Sequence, residues 1–100
     1  MASKILLDTN LLVLLVVGST SERLISTHKR TRAYDIKSFR LLMDTIGPPT
    51  SLVSTPHILA ETSNLLRQCA DPLRQQLSVA LAAFVSTLGE NHVAARHVVA

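Results

Sequence analysis

Two carboxylates stand where chemistry could gather. Asp8 follows directly on the apolar Ile5-Leu6-Leu7 and precedes Thr9-Asn10; Glu61 lies in Thr55-Pro56-His57-Ile58-Leu59-Ala60-Glu61. Two carboxylates a few ångströms apart repel unless a cation or a shared proton separates them. Magnesium suits such a pair, because it takes oxygen ligands, keeps several waters and is completed by substrate phosphate. Ser54 and Thr55 stand just ahead of the Glu61 segment, where their hydroxyls could bond a carboxylate or a phosphate. Each of these residues also has a plainer reading. Asp8 and Thr55 are good helix caps, and Glu61 could be an ordinary helix-surface carboxylate.

The elements that must position them follow from apolar spacing. Residues 4–8 read as a strand with both faces apolar, as in a central parallel strand covered by helices on two sides. A strand ending in Asp puts that Asp at the carboxyl edge of a sheet, where open α/β sheets bind ligands. Asn10 is a fair N-cap for residues 11–17, which read as a short helix apolar all round and therefore buried. Residues 18–32 are polar and basic, with a turn of helix over 21–25.

Asp35 caps the next helix, in which Ile36, Phe39, Leu42, Met43 and Ile46 form one stripe; Gly47 and Pro48-Pro49 stop it. Residues 51–54 read as a second strand. Thr55 caps a helix with Pro56 at its first position, running to about residue 68. Its buried stripe is Ile58, Leu59, Thr62, Leu65 and Leu66, and Glu61 lies about 90° from the middle of that stripe. Asp71-Pro72 repeats the cap-then-proline start for a last helix to Gly89. The order β-α-α-β-α-α predicts an α/β fold with a parallel sheet. Two strands alone do not make a stable sheet, so it needs more chain or a partner.

Composition bounds the possibilities. One hundred residues make at most one domain, here 1–100, and 47% hydrophobic content excludes a disordered tail. The net charge of +3 is mild, but His28, Lys29, Arg30 and Arg32 cluster. They read either as a solvated loop or as a contact for nucleic-acid phosphate. A single cysteine, Cys69, forbids an internal disulfide and points to a reducing, cytoplasmic setting. The apolar run 11–17 is far short of the roughly 20 residues that span a membrane. Asp8 and Asn10 interrupt it as a signal peptide. His57, His92 and His97 lack the spacing and the cysteine partners of a zinc site. Glycine occurs only at 18, 47 and 89, so there is no glycine-rich phosphate loop.

Leu6-Leu7-Asp8-Thr9-Asn10-Leu11-Leu12 resembles the opening of a PIN domain, whose first strand ends in a hydrophobic-hydrophobic-Asp-Thr-Asn signature. Thr55-Pro56-His57-Ile58-Leu59-Ala60-Glu61-Thr62-Ser63-Asn64-Leu65 resembles the family's second motif, a helix carrying the second acidic residue. The resemblance implies a three-layer α/β/α fold and a magnesium- or manganese-dependent ribonuclease, often the toxin of a bacterial toxin–antitoxin pair. It makes Asp8 and Glu61 the catalytic, metal-binding carboxylates, with Thr9 and Asn10 shaping the turn. Lys29, Arg30 and Arg32 would hold RNA backbone. The family also supplies a third Asp from a later helix. Here Glu90 is the only carboxylate after Asp71, in no matching context. The expectation is therefore the amino-terminal portion of a PIN-like domain, with RNA cleavage impaired. The alternative is a non-catalytic interaction module that pairs with itself as a homodimer or with an antitoxin-type partner, with no membrane involved.

Overall fold

A computed structural model describes residues 5–47 and 52–87. It is a mixed α/β structure, mostly helical. The elements are β1 (Ile5–Leu6), α1 (Thr9–Thr20), a 3₁₀ helix (Glu22–Ser26), α2 (Ile36–Ile46), β2 (Leu52–Val53), α3 (Pro56–Leu66) and α4 (Leu73–Thr87). The strands pair in parallel, Ile5 opposite Leu52 and Leu6 opposite Val53. The chain therefore leaves both strands at the same edge of the sheet, through Leu7-Asp8 and through Ser54-Thr55.

Helix α1 is the centre of the core. Leu12 through Val17 are all buried, and α1 packs against α2, α3, α4 and the 3₁₀ helix. This is the all-round apolar helix expected from residues 11–17, but it is longer at both ends. Its cap is Asp8, not Asn10. Asp8 has extended backbone and its carboxylate accepts from the Leu11 N–H at 2.9 Å. Asp and Asn cap about equally well. The earlier one takes the role here, so Thr9 and Asn10 become the first two helical residues. The helix runs on through Gly18 because Phe39 of α2 lies against it. A Cβ built on Gly18 would overlap the Phe39 ring.

The second helix agrees with its sequence pattern except at Ile36, the first residue of the expected stripe, which is exposed. Asp35 caps it through the Ser38 N–H at 2.7 Å, Phe39 and Ile46 are buried, and Gly47 ends it at φ 65. Thr55 caps α3 through the Ile58 N–H, with Pro56 in the first turn, and Thr62 and Leu66 are its buried residues. Helix α3 closes at Leu66, sooner than expected. Helix α4 also differs: Asp71-Pro72 is a cis peptide outside the helix, which begins at Leu73. Strand β1 is shorter than expected, and Leu6 is 56% exposed, so the described residues do not cover both of its faces.

Candidate active site at the carboxyl edge of the sheet

The site builds outward from the two turns that leave the sheet. Asp8, as the cap of α1, spends one carboxylate oxygen on the Leu11 N–H. Its other oxygen has no partner among the described residues and the side chain is exposed. The cap fixes the first turn of α1, and this aims the hydroxyl of Thr9 at α3. Thr9 Oγ1 donates to Glu61 Oε1 at 2.8 Å. That bond spans 52 residues of sequence and joins the Asp8 turn to the middle of α3. The segments carrying the two predicted carboxylates thus meet at one end of the molecule.

Glu61 is 54% exposed and its Oε1 also lies 3.9 Å from His57 Nε2, one helical turn earlier on α3. His57 is the group that sequence reasoning passed over. Its spacing to His92 and His97 gives no zinc site, while its i, i+4 spacing to Glu61 puts both on one face of a helix. Asn10 is exposed in the first turn of α1. Thr55 Oγ1 is engaged as the cap of α3. Ser54 is 4% exposed and its hydroxyl has no hydrogen-bond partner among the described residues, so it bonds neither carboxylate.

The basic loop divides. His28 is a core residue, 2% exposed. Its Nδ1 accepts the Arg30 N–H at 3.1 Å and its Nε2 faces the Leu66 carbonyl at 3.2 Å, which fixes the tautomer with the proton on Nε2. Thr31 is buried and donates to the Ile25 carbonyl. Lys29, Arg30 and Arg32 are exposed, with Arg30 Nε on Gln68 Oε1 at 2.6 Å. This loop borders the carboxyl-terminal end of α3. Glu61 lies five residues before Leu66, about 7.5 Å back along the helix axis.

The donors at the sheet edge are hard oxygens, which suits magnesium or manganese. The number is short. Among the described residues no three His, Cys, Asp or Glu side chains gather to hold a metal ion. Among the described residues Asp8 and Glu61 are both exposed. A cleft between α1 and α4, floored by Leu15 and Val16, contains neither carboxylate, and nor does one between the 3₁₀ helix and α2, lined by Tyr34 and Ile36. No helix among the described residues is long and apolar enough to cross a membrane.

No family model matches the chain, and neither a curated protein nor a solved structure matches it.

Proposed function

We propose that the chain is a PIN-like, three-layer α/β domain whose Asp8–Glu61 edge carries out divalent-cation-dependent hydrolysis of RNA. The observation that carries this reading is the Thr9–Glu61 hydrogen bond, which brings the two acidic segments together across 52 residues. Asp8 and Glu61 would hold the cation, Asp8 through the oxygen left over from capping and Glu61 through the oxygen that Thr9 does not occupy. When bound, such a cation lowers the pKa of a water and neutralises charge on the phosphate. Thr9 and the capped turn hold Glu61 in place beforehand, so that less ordering is left to the moment of binding. Lys29, Arg30 and Arg32, exposed beyond the far end of α3, would take RNA phosphates without reading sequence. With two carboxylates and no third beside them among the described residues, activity is low.

The test is cleavage of single-stranded RNA with magnesium or manganese by wild type, Asp8→Asn and Glu61→Gln. Asn caps as well as Asp, so Asp8→Asn removes the charge and keeps the helix start. Slow cleavage that needs the cation and disappears in both variants supports the proposal. Cation-independent cleavage, or cleavage retained by Asp8→Asn, overturns it.

A second reading has its own observation. Among the described residues the sheet has two strands and Leu6 on β1 is 56% exposed, an apolar face of the sort that pairs with a partner. On this reading the chain is an interaction module, joining a like subunit or an antitoxin-type peptide. Sedimentation of wild type against Leu6→Lys separates a dimer made through this face from a monomer.

A further inference from the structure

We infer that the turn between α3 and α4, with the basic loop beside it, is a preformed surface for the phosphate backbone of an RNA strand, and that Arg30 and Arg74 are its two oriented forks. This rests on the reading of RNA as substrate, not on the cation site, and it adds Arg67 and Arg74 to the loop cations. Three segments converge here. Arg30 Nε donates to Gln68 Oε1 at 2.6 Å, across 38 residues. Arg74 Nε, from the first turn of α4, donates to the Cys69 carbonyl at 3.1 Å. Arg67, the C-cap of α3, directly precedes both anchors. The two arginines are thus tied to consecutive residues of one turn, and Lys29 and Arg32 flank Arg30 in the loop. All five cations are exposed.

The way the two arginines are held points to a ligand. Each is bonded through Nε alone, so its plane is set while both terminal nitrogens keep no partner among the described residues. That pair of terminal groups is a fork that matches two oxygens of a phosphate. The backbone beneath is fixed. His28 is buried with both ring nitrogens engaged, one of them on the Leu66 carbonyl, and Thr31 donates to the Ile25 carbonyl. Asp71 is the only carboxylate within residues 27–34 and 66–74, and among the described residues no ion pair joins it to any of the five cations. Arg40 on α2 shows the opposite arrangement, closed off by Glu22 through bonds of 3.1 and 3.0 Å.

The surroundings select the partner. The exposed large apolar residues Leu6, Ile36, Leu41 and Val79 all lie outside these segments, so the surface offers nothing to insert into a bilayer. Residues 29–32 and 67–74 contain no aromatic side chain on which a base could stack. Phosphates are therefore held without regard to sequence. Arg67 lies six residues beyond Glu61, about 9 Å along the axis of α3, so a strand on this surface can continue toward the Asp8–Glu61 edge.

The experiment is fluorescence anisotropy of a labelled oligouridylate titrated with the full chain in EDTA, over a series of salt concentrations. Oligoadenylate and phosphatidylserine vesicles serve as comparisons. Wild type is set beside Asp8→Asn, Arg30→Gln/Arg74→Gln and Arg23→Gln/Lys37→Gln. The last pair removes the same charge from exposed positions on the 3₁₀ helix and α2. The expected result is equal binding of both RNAs, unchanged in Asp8→Asn. In Arg30→Gln/Arg74→Gln, Kd rises about tenfold or more and the slope of log Kd against log salt falls by about 1.4, or about 0.7 for each lost contact to a single strand. Equal weakening in the two double variants, full binding by Arg30→Gln/Arg74→Gln, or vesicle binding with the same dependence on both arginines overturns the inference. Cleavage that fails while this binding holds counts against the hydrolysis reading alone. Absence of this binding while cation-dependent cleavage holds counts against the surface alone.

Discussion

The two ends of α3 are built on opposite principles. At its carboxyl-terminal end, the His28 ring is buried with both nitrogens engaged, and Thr31 beside it is fully enclosed. At its amino-terminal half, Glu61 and His57 stand in the open, and Glu61 and Asp8 each keep one oxygen without a partner among the described residues. Buried polar groups with every hydrogen bond made specify a fold. Exposed groups with capacity to spare are what a ligand can use. The same helix thus serves folding at one end and, on the proposed reading, chemistry at the other. Formal charge alone would have assigned the roles less well, because His28 sits in the most basic stretch of the chain.

Substitutions should separate the two ends by size of effect. His28→Ala is expected to cost most, about 3 kcal/mol or more, because it leaves a cavity and an unsatisfied Arg30 N–H, and leaves the Leu66 carbonyl with only the weak Cys69 thiol as donor. His57→Ala, at the other end, should stay within about 0.5 kcal/mol, as for a surface residue. Urea unfolding of the pair measures the contrast directly, and equal losses would erase it. Gly18→Ala comes next. The Phe39 ring must move to admit the methyl group, at a cost of about 1–3 kcal/mol, read as a lower urea midpoint.

The third effect is smaller and sharpens the double duty of Asp8. Asp8→Ala should lose about 1 kcal/mol as a cap, whereas Asp8→Asn should lose little stability and all cation-dependent activity. A thermal melt beside a cleavage assay reads both. If Asp8→Asn destabilises as much as Asp8→Ala, the charge matters to folding and not only to the site.

The smallest effect concerns pH. The Ser38 N–H and hydroxyl hold the Asp35 carboxyl below its ordinary range, and Arg40 does the same for Glu22. Lowered carboxylate pKa values contribute stability that is present above the unfolded value, about pH 4, and is lost as pH falls through the folded one. Wild type should therefore weaken slightly below about pH 4. Asp35→Asn keeps a cap that does not titrate, and should flatten part of that slope in acid melts.

Much of this was legible because local chemistry decided it. Asp35 and Gly47 bracket α2 by capping and by a positive φ, and Thr55-Pro56 opens α3 for the same local reasons. The start of α1 was ambiguous because Asp8 and Asn10 cap about equally well; the structure uses Asp8, through the Leu11 N–H. The helix passes through Gly18 because of a ring 21 residues away, Phe39, which no local rule supplies. Asp71-Pro72 has the composition of a cap-and-proline start, yet the helix opens only at Leu73. The buried role of His28 depends on the Leu66 carbonyl, 38 residues distant. The nearness of His57 to Glu61, by contrast, was readable from helical spacing alone. The spacing of His92 and His97 lies outside the described residues, as does Glu90.

The most direct test of the shared cation is an amide shift map during Mg²⁺ titration. The expected result is that amides at Asp8, Thr9 and Asn10 and those flanking Glu61 move together along one saturation curve, and that Asp8→Asn abolishes both sets of shifts. Shifts confined to one segment, or two curves of different midpoint, would mean that the acids do not serve a single ion and would contradict the proposed site.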